Sequence, residues 1–503
     1  MNRAGFFVGL AARFCSSRRY GKCTIAGSVF PRTPSIEPQR LYSPSTFSSM
    51  RRFKILLALL TMLACTGVGL PASFEPARSA KRQVRWTKKT IPIAISTSLS
   101  LPNASFTVGS DVAGAIHGAL EAWSNATNIN FVEAPSNLQS ISPANRPDGV
   151  NLITITATSE NLAIFGNENS PARTRVFYDA NTGEISEADI VINPFMYSVA
   201  GAPIEFSTDG TPGTYDLQST LTHEIGHLLG LNHSSVLGAT MNATQALNGT
   251  FGLPALSERT LSESDIAAVK SIYGSRGETG SVDGRILSNQ QDTLLPVARA
   301  HVWLEDAASG RVMASGVTNS NGAFEIAGIV PGLYRLMTEY LDSATAADQS
   351  LSIEPERRSN GQSFRAVEIN GGLRVAANKA ALVNYVLVPP QNSAATLNPR
   401  FAGLNSELST VPIIATRGAT LTVYLSGDAV DQVPGTGLLV TSPYLTVNPG
   451  SLKSHQFGGT APVISFDVTI ALDAPPGDYS LRLQSNSGEI AYLVGALVVG
   501  PKQ

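Results

Sequence analysis

The run Thr220-Leu221-Thr222-His223-Glu224-Ile225-Gly226-His227-Leu228-Leu229-Gly230-Leu231-Asn232-His233 constrains this chain more than any other stretch. It has the form H-E-x-x-H-x-x-G-x-x-H, with a methionine following at Met241. On a helix, His223 and His227 lie one turn apart and project from the same side. Two imidazoles so placed can close on one Zn²⁺ at about 2.0–2.1 Å. Gly230 can leave the right-handed helical region at no side-chain cost, and a turn there brings His233 back as a third ligand. Three protein ligands leave one zinc position for water, which is the catalytic rather than the structural arrangement. Glu224, beside the metal, is placed to take that water's proton. The extended motif is specific, whereas a bare H-E-x-x-H is weak.

A chain of 503 residues with 15% charged residues and a net charge of −2 is expected to hold about two to four domains. It carries no basic patch for nucleic acid and no charge excess calling for an acidic partner. Cys15, Cys23 and Cys65 are the only cysteines, so beyond residue 65 neither a disulfide nor a thiolate–zinc site can form. Met50-Arg51-Arg52-Phe53-Lys54 followed by Ile55 to Ala64 has the basic start and short apolar stretch of a secretory signal. The stretch is too short for a membrane span. Residues 50–72 are therefore expected to be a signal peptide cut after Ala72, making the protein secreted. Residues 1–49 are unpatterned, with Met50 as the working start; an organelle presequence is the competing reading. Met62-Leu63-Ala64-Cys65 also offers a lipoprotein-type box, with lipid anchoring at Cys65 as the lesser alternative. No other apolar run reaches membrane length.

Further along, Ile91-Pro92-Ile93-Ala94-Ile95 alternates as a strand does, and Asn130 to Val132 and Leu152 to Ile155 predict two more. Asp111 to Asn125 predicts a helix capped by Asp111, with Val112, Ile116, Leu120 and Trp123 as its buried stripe. His117 lies beside that stripe and is expected to be partly buried and not a ligand. Thr174 to Tyr178 and Ala188 to Ile192 flank Asn181-Thr182-Gly183 as a hairpin. Residues 199–214 read as a surface loop. Leu217, Leu221, Ile225 and Leu228 form the core face of the histidine-bearing helix, with Asp216 as its cap. A last helix starts at Ser262 and stops at Gly274, with Ile266, Val269 and Ile272 facing inward.

With these residues in view, the chain resembles the metzincins, specifically the matrixin group of zinc endopeptidases in a bacterial form. The resemblance covers about 85–274 and rests on Arg85-Trp86-Thr87, Glu121-Ala122-Trp123, Glu187-Ala188-Asp189-Ile190, Tyr215-Asp216-Leu217-Gln218 and the zinc motif. It continues through His233-Ser234-Ser235, Ala239-Thr240-Met241 and Leu261-Ser262 to Tyr273-Gly274. It implies an α+β catalytic domain with a twisted five-stranded sheet, three helices and a cleft. Peptide or protein substrate would add to the strand near Thr174–Tyr178, and Met241 would form a hydrophobic floor under the metal. Calcium as a structural ion in 135–215 is implied by analogy alone, with no ligand set to name. Three departures stand out. No histidine lies between 118 and 222, so the second zinc of the animal members is expected to be absent. The cysteine-switch propeptide is missing. Met241 is followed by Asn242-Ala243-Thr244 in place of the family's Pro-x-Tyr wall, which leaves the S1′ preference open.

From Gly280 the pattern changes to short alternating runs with regular turns, Asn321-Gly322 being a strong hairpin signal. Residues 280–389 resemble the transthyretin-like, carboxypeptidase-regulatory sandwich of about seven strands, and 394–503, after the linker Pro389 to Ser393, an immunoglobulin-like sandwich. The expected whole is thus a catalytic α+β domain followed by two all-β sandwich domains. Both modules carry Pro-Gly-x-Tyr-x-Leu, at 331–336 and 476–481, explained by a tyrosine packing across the sandwich at a strand entry. The modules read as spacers, with no aromatic platform for binding and with His301 and His455 at the surface. The alternative to a secreted zinc endopeptidase is a surface adhesion or scaffold protein with an inactive peptidase-like domain.

Overall fold

The computed structural model describes residues 83–500 apart from 101–102, 167–168, 199, 276, 291, 342–363, 365, 389–396 and 458–460. The expected signal segment 50–72, the stretch 1–49, the cysteines and the linker at 389–393 lie outside the described residues.

The first region has the strands β1 (Thr90–Ser96), β2 (Asn130–Ser136), β3 (Leu152–Thr154), β4 (Ala172–Tyr178) and β5 (Ile185–Ile192) in the order β2-β1-β3-β5-β4. All neighbours are parallel except β4, which runs antiparallel to β5 at one edge. Parallel pairing is consistent with the near-continuous burial of β3 and β5, since both faces of such strands are covered. The helices are α1 (Val112–Ala126), α2 (Ser159–Ala163), α3 (Leu217–Leu228) and α4 (Glu263–Tyr273). There are four helices among the described residues, where the family resemblance implies three. The additional one, α2, has five residues, too few to show a periodic stripe.

α1 begins where Asp111 accepts the N–H of Gly114, and it buries Ala115, Ile116, Ala119, Leu120 and Trp123. These join Ile91, Ile93, Ile153, Ile190 and the α3 residues Leu217, Leu221, Ile225 and Leu228 in one core. His117 falls on the other side. Its side chain is 69% exposed and pairs with Glu133 at 2.8 Å, so it is more open than the sequence suggests. Nor is 199–214 wholly a surface loop. Phe206 is fully buried against Phe106 and Tyr215, in a two-residue strand β6 (Phe206–Ser207) beside β7 (Tyr215–Asp216). A strand this short leaves no alternation to read.

The remainder is strand-rich. Residues 280–388 form two sheets holding nine strands, not seven, and 398–499 form two four-stranded sheets. Each pair of sheets has its own core, around Val282, Val302 and Leu336 in one and Val423, Phe466 and Leu497 in the other. The repeated Pro-Gly-x-Tyr-x-Leu has a local cause. Tyr334 and Tyr479, both buried, donate their hydroxyls to the carbonyls of Val330 at 2.5 Å and Pro475 at 2.7 Å, four residues back in each case.

These sheets pack on the first region directly, which departs from the spacer expectation. α4 buries Val269 in the first core but turns Ala267 into the core of 280–388. Ile266, expected inside, is only half-buried because the helix serves two cores. Gly328, at φ +76, lies so close that an added Cβ would sit 2.0 Å from the Ala267 carbonyl oxygen. Val236 and Ala239 join Trp303, Met337, Tyr492 and Val494 in a further buried cluster that spans all three regions. His301 is also a correction: it is fully buried, stacked on Trp303, with Nδ1 3.2 Å from Glu339. Alternation in its strand placed it outward, but that side of the sheet is the inter-region interface. His455 is half-buried and stacks on exposed Phe457 beside Tyr424, so the last module does carry an aromatic group.

Candidate active site

α3 carries the chemistry and is fixed at both ends. At its start Asp216 accepts the N–H of Ser219 at 2.8 Å, and Arg259 holds the same carboxylate through Nε at 2.9 Å and Nη2 at 2.6 Å. Its last carbonyls, which no helical N–H can reach, are met from outside. Trp86 donates Nε1 to Leu228 O at 2.9 Å, and Tyr273 donates its hydroxyl to Leu229 O at 2.7 Å while accepting the backbone N–H of Trp86. The motif residues at the two ends of the region, Trp86 and Tyr273, thus meet at one helix terminus.

The chain leaves α3 through Gly230, at φ +90. The N–H of Leu231 reaches back to Gly226 O at 3.0 Å, a left-handed exit that favours glycine. A Cβ at Gly230 would also lie 2.4 Å from Val84 O. The turn brings His233 to the two helical histidines. His227 Nε2 is 3.1 Å from both His223 Nε2 and His233 Nε2. His223 and His227 donate Nδ1–H to the carbonyls of Thr240 at 2.8 Å and Leu231 at 2.9 Å. That fixes their tautomers and turns the Nε2 lone pairs toward a common point. Burial, with the charge of His233 second, depresses His223 to about 3, and burial likewise holds His227 far down. Neutral imidazoles with converging lone pairs repel one another unless a cation lies between them, so this donor set fits zinc. Among the described residues, these three are the group whose metal-capable atoms converge; no calcium ligand set is assigned.

Glu224 is buried beside them. Burial raises its carboxyl to about 7, opposed by a hydrogen bond from Thr174 and by the charge of Arg173. The Thr174 hydroxyl lies 2.5 Å from Glu224 Oε2. Met241 packs beneath, where Gly226 has no side chain: a Cβ there would meet its sulfur at 2.2 Å. Asp265 sets the methionine turn by accepting the N–H of Thr240 at 2.8 Å and of Met241 at 3.1 Å. It also completes a capping box with Ser262 at the start of α4. The histidines and Glu224 open on a cavity of about 370 Å³ between residues 169–174 and Ala243-Thr244-Gln245. The cleft therefore borders the first half of β4 and the residues before it, not Thr174–Tyr178 as a whole.

All six residues singled out by sequence are brought together: His223, Glu224, His227 and His233 around the cavity, and Gly230 and Met241 behind them. Sequence reasoning missed Thr174, Arg173, Gly226 and the buttressing role of Asp265. A glycine inside a helix with no turn to explain it was the available signal for Gly226.

Three histidines and a glutamate thus line one open cleft in an α+β region. Residues 85–274 match the family model described as Matrixin. Metalloendoproteinase 1 of Glycine max is 30% identical over 115 residues, covering 22% of this chain and 29% of that protein. Matrilysin of Mus musculus is 36% identical over 72 residues, covering 14% of this chain and 25% of that protein. The chain thus spans under a third of the length of these curated relatives. Among solved structures, the minor pilin GBS52 of Streptococcus agalactiae is 16% identical and covers 24% of this chain and 48% of that one, but its TM-score of 0.15 carries no weight for the fold. Residues 85–274 are thus similar to the matrixin metalloproteases, and a β-rich region of several sheets follows.

Proposed function

We propose that this chain is a secreted zinc-dependent endopeptidase in which His223, His227 and His233 hold the metal and Glu224 is the general base. The observation that carries this reading is the convergence of three imidazoles on one point beside a buried carboxylate at the floor of a cleft. Zinc bound there supplies Lewis acidity, activating water near neutral pH and polarising the scissile carbonyl. Glu224 takes the proton of the attacking water and returns it to the departing amine nitrogen. Thr174 holds the carboxylate in place for both transfers. An extended substrate lies along residues 169–174 at the edge of the sheet, adding to it as a strand, with Ala243 to Gln245 opposite. Secretion is supported by the signal-like pattern of residues 50–72, and no described helix is long and apolar enough to cross a membrane. We read the β-rich region as a transthyretin-like and an immunoglobulin-like module.

The test is hydrolysis of casein by the purified full chain with and without phenanthroline, alongside its zinc stoichiometry. One zinc per chain and chelator-sensitive, zinc-restorable cleavage are expected. A protein that binds no zinc, or cleaves equally well in chelator, would sink the reading and leave the scaffold alternative.

A further inference from the structure

We propose that the last β-module, residues 397–500, positions the 243–245 wall of the cleft through a clamp on Phe251, and so helps to set which peptides are cut. The inference rests on the peptidase reading for its consequence, but not for the clamp itself.

Phe251 belongs to the sequence of the matrixin-like region, yet its buried side chain sits in the core of the last module with Leu404, Val411 and Ile413. Leu237, Ala246 and Leu253 pack against the same core. The backbone at Phe251 is left-handed, at φ 59 and ψ 14. A bulky residue adopts that conformation only where its surroundings impose it. Here both polar groups of the residue are taken by one turn of the last module. Glu407 Oε2 accepts the Phe251 N–H at 2.8 Å, and Asn405 Nδ2 donates to the Phe251 carbonyl at 2.8 Å. The gap left between 246–258 and residues 411–414 is about 20 Å³, room for no more than about one water. The two surfaces are therefore packed rather than merely adjacent.

The segment so anchored begins within a few residues of the cleft. Ala243, Thr244 and Gln245 line the cavity, and Ala246 is already packed on the last module. From the other side, Gln245 meets Thr220 of α3 at 3.2 Å. The wall is thus suspended between the metal-bearing helix and the last module. Its sequence lacks the Pro-x-Tyr of the family it resembles.

The experiment uses the full chain carrying Asn405→Ala together with Glu407→Ala, neither of which touches the metal site. A second variant, Glu407→Gln, keeps an acceptor for the Phe251 N–H. Hydrogen exchange at the backbone of 243–247 is expected to speed up in the double variant but not in Glu407→Gln, while α3 stays as protected as in the parent and zinc content is unchanged. Across peptides that vary on the leaving-group side, KM for the best substrates is expected to rise roughly three- to tenfold, as the loss of two hydrogen bonds suggests, with kcat nearly constant and selectivity flattened. Unchanged exchange at 243–247 overturns the clamp whether or not the protein cuts peptides. Faster exchange with an unchanged KM and profile overturns its role in selection. A parent that cleaves nothing defeats the peptidase reading, and the exchange result alone then decides the clamp.

Discussion

At the scale of single residues, the site is a set of atoms held by partners that do no chemistry. Glu224 accepts from Thr174 and lies among buried groups that disfavour its charge. Glu224→Gln keeps the shape and removes the base. Zinc stoichiometry should match the parent while peptide hydrolysis falls about 10²–10⁴-fold, the usual contribution of a positioned acid–base group. Elemental analysis beside a peptidase assay checks this; turnover near the parent rate would remove Glu224 from the mechanism. Asp265 acts on the site at one remove. Its oxygens accept from Thr240 and Met241 as well as from Ser262. Asp265→Ala leaves those buried N–H groups unmet, at a cost of about 1–3 kcal/mol each. A fall of several degrees in Tm is expected, together with weaker zinc retention, because the carbonyl of Thr240 orients His223. Tm unchanged beside the parent would show the turn to be held by something else.

At the scale of elements, the two glycines of the zinc motif separate what a turn needs from what packing needs. A side chain at Gly230 meets the backbone carbonyl of Val84 at 2.4 Å and must also adopt φ +90. One at Gly226 meets the sulfur of Met241 at 2.2 Å and the ring of Trp123 at 2.9 Å, both of them side chains rather than backbone, in ordinary helical backbone. Gly230→Ala should therefore be the more damaging, since left-handed backbone alone costs roughly 1–2 kcal/mol and His233 is carried away with the turn. Gly226→Ala should fold with a smaller loss of Tm and a displaced Met241. Paired melting curves with zinc competition titrations test the order, and its reversal would contradict the account of the exit turn.

The same contrast explains what the sequence disclosed. The helices at Val112–Ala126, Leu217–Leu228 and Glu263–Tyr273 have caps and apolar stripes, and β4 and β5 flank a turn that names itself. His223, Glu224 and His227 were legible because helical spacing dictates their geometry, and His233 because Gly230 marks the turn that returns it. Elements of two to five residues, such as Phe206–Ser207 and Ser159–Ala163, are too short for any period. The burial of His301 and the destination of Phe251 escape for another reason: both are settled by contacts with distant parts of the chain, and local pattern reports only which side of an element faces away from its own sheet.

At the scale of the whole molecule, the contact between the matrixin-like region and the last module is lined by carboxyl groups. Asp478 is buried with no partner for Oδ2, and packs against Gly238, whose added Cβ would lie 2.6 Å from its Oδ1. Burial, helped by the charges of Asp265 and Glu263, raises it from 3.8 to about 8. Burial raises Glu258 to about 8 as well, with Asp216 and Asp265 as smaller contributors. Groups raised in this way keep their protons in the folded protein at pH values where the unfolded chain has released them. Folding then binds protons, so stability must fall as pH rises. For Asp478 the contribution is fully present below about pH 4, shrinks through the interval between, and is gone above about pH 8. Its slope is at most about 1.4 kcal/mol per pH unit. Asp478→Asn mimics the protonated form and removes that slope. In zinc-saturated full-length protein its Tm should already exceed the parent's at pH 5.5, and exceed it by more at pH 8.5. Scanning calorimetry at three pH values suffices. A difference between variant and parent that stays constant from pH 5.5 to 8.5 would mean that Asp478 titrates alike in both states, and that the junction does not make this fold less stable as pH rises.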